Sequence, residues 1–284
     1  MFETKVSTLH SESNAMDGIV MPWERNDVTL CRAPYPYGWV SDFLPTALYT
    51  KLASSFVEPD THPGLEVLGK RKKRVSFMTP PTPDSLGEIP SEWQDFLDLL
   101  SREKTIARAL DWVRHLIPLD ALPEGPYREL FALRHALTPD QLCWYCEFSS
   151  LDASVFLPPH SDSTDKLLIF VLYFTPDGWQ EYWDGATEVY SALDADQNGN
   201  FSNFFLSHDR VALLDRCDYL PNRAFFFVKN HAAWHGVSPV RSEATLKRRS
   251  FNFSLRVRPD AVLSPRMVAL IDEVRAREAL TFPR

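Results

Sequence analysis

The sequence predicts a mainly β protein, an antiparallel double-sheet barrel braced by helices at its N-terminal and C-terminal ends. Three observations carry this. Short β-branched or aromatic segments, separated by turn signals, fill the stretch from residue 142 to 257. Helical periodicity precedes and follows that stretch. Twenty-two prolines against ten glycines favour loops and short strands over a helical bundle. Helices, then about eight strands, then a helix is the order expected of two packed sheets with helical support.

Residues 1–34 carry no sustained periodicity and read as an irregular lead-in, leaving 35–284 as a single domain. A helical pattern opens at Phe43-Leu44-Pro45, with Leu48, Leu52, Ala53 and Phe56 at three- and four-residue spacing. Residues 59–90 read as loop, punctuated by Pro59, Pro63, Pro80, Pro81, Pro83 and Pro90. They contain the basic cluster Lys70-Arg71-Lys72-Lys73-Arg74 (70–74), which reads as a solvated turn or as a rim that attracts an anionic substrate. From Ser91, Trp93, Phe96, Leu99, Leu100, Ile106, Leu110, Val113 and Ile117 mark two helices ending near Pro118, so helical support spans 43–118. After Pro139 the period becomes that of strands: Leu142 to Phe148, Lys166 to Phe174, Thr187 to Tyr190, Phe204 to Leu206, Ala224 to Val228 and Phe251 to Val257. The barrel core is thus 142–257. A final helix over 264–280 starts at Ser264-Pro265 and carries Met267, Leu270, Ile271 and Val274 on one face.

Composition removes several function classes. With 284 residues, 44% of them apolar, the chain can bury a sizeable core and is not wholesale disordered. A formal charge of −8 argues against general binding to nucleic acid or anionic lipid. No run of 18 apolar residues would span a membrane, and Met1-Phe2-Glu3-Thr4-Lys5 lacks an apolar signal core. Cys31, Cys143, Cys146 and Cys217 are too few for a disulfide framework at this length. These features predict a soluble, cytoplasmic, reduced protein. Cys143-Trp144-Tyr145-Cys146 has redox or zinc spacing, but residues three apart on a strand face opposite sides, so the two thiols diverge.

The chemistry concentrates in Pro158-Pro159-His160-Ser161-Asp162. Residues two apart in an extended chain project to one side, so an imidazole and a carboxylate point together, two-thirds of a facial Fe(II) triad. Downstream, the apolar run Ala224 to Val228 leads into Lys229-Asn230-His231-Ala232-Ala233-Trp234-His235-Gly236-Val237, where His235 can supply the second imidazole. His231 and His235 would be a zinc pair on a helix, but the run before them reads as a strand and no Glu follows His231. His208-Asp209 sits in a polar loop without a partner motif. On the last strand Arg248 and Ser250 share a face and suit a carboxylate. Lys247 and Arg249 flank the arginine, but Ser250 and Asn252 share the parity of Arg248, which turns Arg249 to the other face.

Leu157-Pro158-Pro159-His160-Ser161-Asp162, the strand Leu167 to Phe174, Asp177-Gly178-Trp179, Trp183 to Tyr190 and Trp234-His235-Gly236-Val237-Ser238-Pro239-Val240 together resemble the iron(II)- and 2-oxoglutarate-dependent oxygenases, on their prolyl-hydroxylase-like side. The resemblance covers roughly Leu142 to Val257. It implies a double-stranded β-helix, a jelly-roll or cupin-like barrel, with Fe(II), 2-oxoglutarate and O2. By the resemblance, His160, Asp162 and His235 bind iron and Arg248 binds the 5-carboxylate of 2-oxoglutarate, assisted by Ser250. Tyr173, and secondarily Tyr145, are candidates for a hydroxyl on that carboxylate. A single glycine, Gly185, stands where the family commonly has two, and Ala186 follows it.

The expected activity is hydroxylation of an unactivated C–H bond of a small molecule, an amino-acid-like compound or natural-product intermediate, with release of succinate and CO2. The carboxylate at Asp162 favours hydroxylation over halogenation, while desaturation, ring closure and demethylation stay open. The alternatives are a prolyl-type hydroxylase of a protein residue and, in a different class, a non-catalytic metal- or ligand-binding barrel. The insert from Tyr190 to His208, with Asp194, Asp196, Gln197 and Asn198, either shapes the substrate mouth or is a solvated loop.

Overall fold

The computed structural model describes residues 18–68, 72–80, 89–122, 124–194 and 201–281. Before the barrel come β1 (Thr29–Cys31), β2 (Tyr37–Val40), α1 (Thr46–Ser54), β3 (Glu66–Leu68), β4 (Lys72–Met78), α2 (Ser91–Ser101), α3 (Glu103–Leu116) and α4 (Pro126–His135). The barrel strands are β5 (Leu142–Leu151), β6 (Leu157–His160), β7 (Lys166–Tyr173), β8 (Thr187–Ala192), β9 (Val211–Cys217), β10 (Ala224–Val228), β11 (Trp234–Val237) and β12 (Arg248–Val257). α5 (Pro265–Thr281) follows them.

Eight strands form one sheet in the order β1-β2-β10-β7-β12-β5-β4-β3, and four form a second in the order β6-β11-β8-β9. Every described pairing is antiparallel. From β5 to β12 the chain passes back and forth between the sheets, β5, β7, β10 and β12 in the larger and β6, β8, β9 and β11 in the smaller. That winding is a double-stranded β-helix, mainly β with flanking helices.

Strict alternation gives the large sheet two different faces. Trp144, Cys146 and Phe148 of β5, Leu168, Phe170 and Leu172 of β7, and Phe251, Phe253 and Leu255 of β12 belong to the principal core, together with Trp93, Phe96 and Leu97 of α2. The Trp93 ring lies 4.6 Å from Phe148 and 4.8 Å from Phe251, and its Nε1–H donates to the Ser55 carbonyl at 3.1 Å. Trp93 therefore fastens α2 to the sheet. Trp93→Ala should cost about 3–5 kcal/mol of unfolding free energy, read as a lower midpoint in a chemical unfolding titration. The other parity, Tyr145 and Glu147 on β5 and Arg248, Ser250 and Asn252 on β12, faces the interior of the barrel. Cys146 belongs to the helix-side core and Cys143 has the opposite parity; all four cysteines are free.

Several expectations are corrected. The lead-in contains a strand, β1, paired with β2. Residues 59–90 are not all loop, because β3 and β4 extend the large sheet beside β5. Lys70 and Arg71 lie outside the described residues, whereas Lys72 to Arg74 lie on β4 rather than in a turn. α4 fills a stretch that carries no helical expectation. Phe204 to Leu206 is not a strand; Phe205 makes one isolated bridge to His160. β6 and β9 are edge strands of the small sheet, which accounts for the prolines of β6 and the exposed Leu213 and Leu214 of β9. Among the described residues no helix is long and apolar enough to cross a membrane.

Candidate active site

The inner faces of the two sheets enclose a cavity of about 810 Å³. On its small-sheet wall β6 pairs with β11 so that His160 stands opposite His235, and Asp162 follows β6 by two residues. One nitrogen or oxygen atom from each of His160, Asp162 and His235 lies within 4.8 Å of the other two. Among the described residues this is the one such group of three or more His, Cys, Asp or Glu side chains.

Backbone carbonyls orient both imidazoles. Nδ1–H of His160 donates to the Pro158 carbonyl at 2.8 Å, and Nδ1–H of His235 donates to the Ala233 carbonyl at 3.1 Å. The remaining nitrogen of each ring, Nε2, then carries its lone pair toward the shared centre. Burial lowers the pKa of His160 and pushes His235 down to about 3, so both rings are neutral near pH 7. Burial works against the charge of Asp162, but the Lys166 ammonium holds the carboxyl far below the usual carboxylate range. Lys166 Nζ donates to Asp162 Oδ1 at 2.7 Å, while Oδ2 lies 3.8 Å from His235 Nε2. The short connection that carries Asp162 into β7 is itself tied down, since Arg134 of α4 donates to the carbonyls of Thr164 and Lys166.

The same cavity holds Arg248, 3% exposed. Its Nε donates to the Gly185 carbonyl at 2.6 Å, while Nη1 and Nη2 reach only 3.4 Å contacts with Ser250 Oγ and Thr187 Oγ1. The guanidinium carbon sits 5.2 Å from the Tyr173 ring centroid and 5.0 Å from that of Tyr219. One edge of the fork is therefore anchored, and the other has long, weak contacts that an anion can replace. Gly185 is required twice over. Its φ is +83°, and a Cβ there would meet Arg248 Cδ at 3.0 Å. A residue with a side chain at 185 would displace the arginine. Ala186 follows the turn in the strand-like path to β8 and faces no such constraint.

Parity separates Arg248 from its basic neighbours. Arg249 is not solvent-directed but pairs with Glu58 and lies 5.8 Å over Phe56 on the helix side. Lys247 pairs with Asp60 and Asp152. The tyrosine expectations are revised. Tyr173 adjoins Arg248, but its hydroxyl donates to Thr187 Oγ1 at 2.6 Å and the residue is not among those lining the cavity. Tyr145 lines the cavity but pairs with Ser254, whereas Arg248 pairs with Leu151. Six residues of strand, about 20 Å, separate those two positions. His231 is stacked on Tyr127 at 5.2 Å, and burial pushes its pKa down to about 4, as suits a structural residue. His208 is exposed. Of the insert, 195–200 lie outside the described residues, so Asp196, Gln197 and Asn198 are not placed, whereas Asn203 and Phe205 line the cavity.

Lys166, Thr187 and Tyr219 touch the site and were not singled out by sequence. Lys166 had a signal, since it stands four residues beyond Asp162 at the start of an apolar strand. Thr187 and Tyr219 had none, because their neighbours come from distant strands. Two neutral imidazoles and one carboxylate, with no fourth His, Cys, Asp or Glu donor among the described residues, suit Fe(II) with open positions for a chelating acid and O2.

Residues 146–256 match the family model described as the 2OG-Fe(II) oxygenase superfamily. No curated protein sequence matches the chain. Among solved structures, a prolyl-4-hydroxylase from Pseudomonas putida is 17% identical, covering 78% of this chain and 92% of its own, with a TM-score of 0.46. A putative oxygenase from Shewanella oneidensis is 13% identical, covering 87% and 91%, also at 0.46. The non-heme alpha ketoglutarate dependent epimerase SnoN from nogalamycin biosynthesis is 13% identical, covering 80% of each chain, at 0.47. The family match runs from β5 to β12, and the 2OG-Fe(II) oxygenase superfamily it describes uses Fe(II), 2-oxoglutarate and O2.

Proposed function

We propose that the protein hydroxylates an unactivated C–H bond of a small molecule, with His160, Asp162 and His235 as the iron ligands and Arg248 as the anchor for the 5-carboxylate of 2-oxoglutarate. The observation that carries this reading is the pairing, in one cavity, of a three-donor cluster with a half-satisfied buried guanidinium. Bound iron(II) and 2-oxoglutarate supply the oxidation: one oxygen atom of O2 enters the substrate C–H bond, the other enters succinate, and CO2 leaves.

The chain's own residues do the rest. Pro158 and Ala233 carbonyls fix the imidazole tautomers, and Lys166 keeps Asp162 ionised and oriented. Gly185, Thr187 and Ser250 aim Arg248 at the carboxylate. Ser250 is the direct assistant, and Tyr173 acts from behind, through Thr187 and its ring face. The cavity volume, about 810 Å³, is that of a small-molecule site and favours such a substrate over a protein segment. The apolar part of its lining, Phe205 and Phe227 beside the candidate metal ligands, keeps water from the reacting carbon.

Anaerobic addition of Fe(II) and then 2-oxoglutarate to metal-free protein tests the reading. The expected result is a visible charge-transfer band that needs both additions and is lost in His160→Ala and Asp162→Ala. A folded protein that binds neither, or variants that keep the band, would overturn the ligand assignment.

A further inference from the structure

Five cations line the cavity, Lys72, Arg74, Lys166, Arg248 and Arg256, against two carboxylates, Glu147 and Asp162. In the reading above, which this inference deepens and on which it rests, Arg248 takes 2-oxoglutarate and Lys166 serves Asp162. The two charges of 2-oxoglutarate offset those of Fe(II). Of the remaining lining residues, Lys72, Arg74 and Arg256 share the cavity wall with one carboxylate, Glu147, while Glu66 pairs with Arg74 and Asp165 with Arg256 from outside the lining. In a chain of formal charge −8 this is a local reversal of sign, and a cavity with low-dielectric walls focuses it.

The register explains the placement. β4 lies beside β5 and β5 beside β12, so Lys72 and Arg74 flank Glu147 from one side while Asn252 reaches it from the other. Glu147 is held by Lys72, by Arg74 at 3.1 Å and by Asn252 Nδ2 at 2.7 Å, so each of its oxygens has a donor. Burial would raise its pKa, but Lys72 and then Arg74 override this and hold it at about 2. It is a fixed charge that holds Lys72 and Arg74 side by side on the cavity wall. The other partners stand outside: Glu66 beside Arg74 is 48% exposed and Asp165 beside Arg256 is 40% exposed. The Arg256 guanidinium carbon also lies over Tyr145, 3.9 Å from the ring centroid, and both residues line the cavity. Apolar wall completes the site. Phe205 stacks on His160 at 5.5 Å and the Phe227 ring lies tilted against His235 at 4.3 Å, so apolar surface borders the candidate metal centre.

We propose that Arg74 and Arg256, with Lys72, form a second anion site in the cavity, and that the oxidised substrate is a small organic acid whose carboxylate docks there while its apolar body lies against Phe205 and Phe227. The carboxylate sets which carbon is presented to the iron.

The test uses protein loaded anaerobically with Fe(II) and saturating 2-oxoglutarate, which occupies Arg248, and titrates it calorimetrically with benzoate and with its uncharged counterpart benzamide. Benzoate should bind about tenfold or more tighter than benzamide, and Arg74→Ala and Arg256→Ala should each remove about tenfold of the benzoate affinity without changing that for 2-oxoglutarate. Arg256→Lys should restore part of the loss. The charge-transfer band of each variant reports that it folds and loads. Equal binding of the two probes, no binding of benzoate, or variants that bind benzoate as the parent does would overturn the anion site. Absence of the band from the parent protein would instead overturn the metal and 2-oxoglutarate reading, and with it the role of the acid as substrate.

Discussion

Replacing His160 by alanine is expected to abolish iron-dependent turnover, a drop of roughly 1000-fold or more, equivalent to about 4 kcal/mol of lost transition-state stabilisation. Two arguments set that size. Asp162 and His235 cannot by themselves complete a three-donor face, so iron content should fall together with activity. The fold should survive. His160 lies on the edge strand β6, its ring contacts are with Phe205 and His235, and none of these joins the principal helix-side core. A change in unfolding free energy within about 1 kcal/mol is expected, as for substitutions away from tightly packed features. Iron content, 2-oxoglutarate consumption and a denaturant midpoint on one preparation check all three. A variant that keeps iron and turnover would remove His160 from the ligand set.

Arg248→Ala should act differently. It removes the anchored guanidinium while leaving the triad untouched, so the dissociation constant for 2-oxoglutarate should rise about 100-fold, near 3 kcal/mol, with a smaller change in the rate at saturation. Arg249→Ala is the matched control, since that side chain pairs with Glu58 on the other face of β12. It should leave 2-oxoglutarate affinity within about twofold and cost no more than about 1 kcal/mol of stability. Gly185→Ala should mimic part of the Arg248 defect without touching the arginine, because the new Cβ meets Arg248 Cδ and sits at a positive φ. A competition titration of 2-oxoglutarate on the three variants decides the matter. If Arg249→Ala weakens binding and Arg248→Ala does not, the strand register is off by one.

What could be read from sequence divides along a physical line. The helix-side half of the fold was legible wherever one face of an element is uniformly apolar: α2 and α3 through Trp93, Phe96, Ile106 and Leu110, and β7 and β10 through near-continuous apolar runs. The metal-ligand candidates were legible because His160 and Asp162 are neighbours in sequence and His235 stands in its own motif. Elements whose partners are remote were not. β4 looked like a basic turn because its charges face a cavity created only by β5 and β12. β9 lacks alternation because it lies at a sheet edge with exposed Leu213 and Leu214. Tyr173 was correctly brought near Arg248, but its hydroxyl partner, Thr187, comes from the other sheet. Tyr145 was misplaced along the strand axis, a coordinate that parity alone does not supply.

Strand β12 carries a consequence for how such a protein changes over time. Its odd positions, Phe251, Phe253 and Leu255, are locked into the helix-side core, while Asn252, Ser254 and Arg256 look into the cavity. Substitutions at the cavity-facing positions can redraw substrate preference with little penalty in folding, so they form an editable surface on a fixed chassis of packing. Insertion or deletion of one residue within the strand does the opposite. It exchanges the two faces at once, burying Asn252 and Arg256 among aromatic rings and emptying the pocket of its charges. Variation in this protein's selectivity should therefore arise by replacement along β12, and changes of length should be confined to the connections before it, such as residues 238–247.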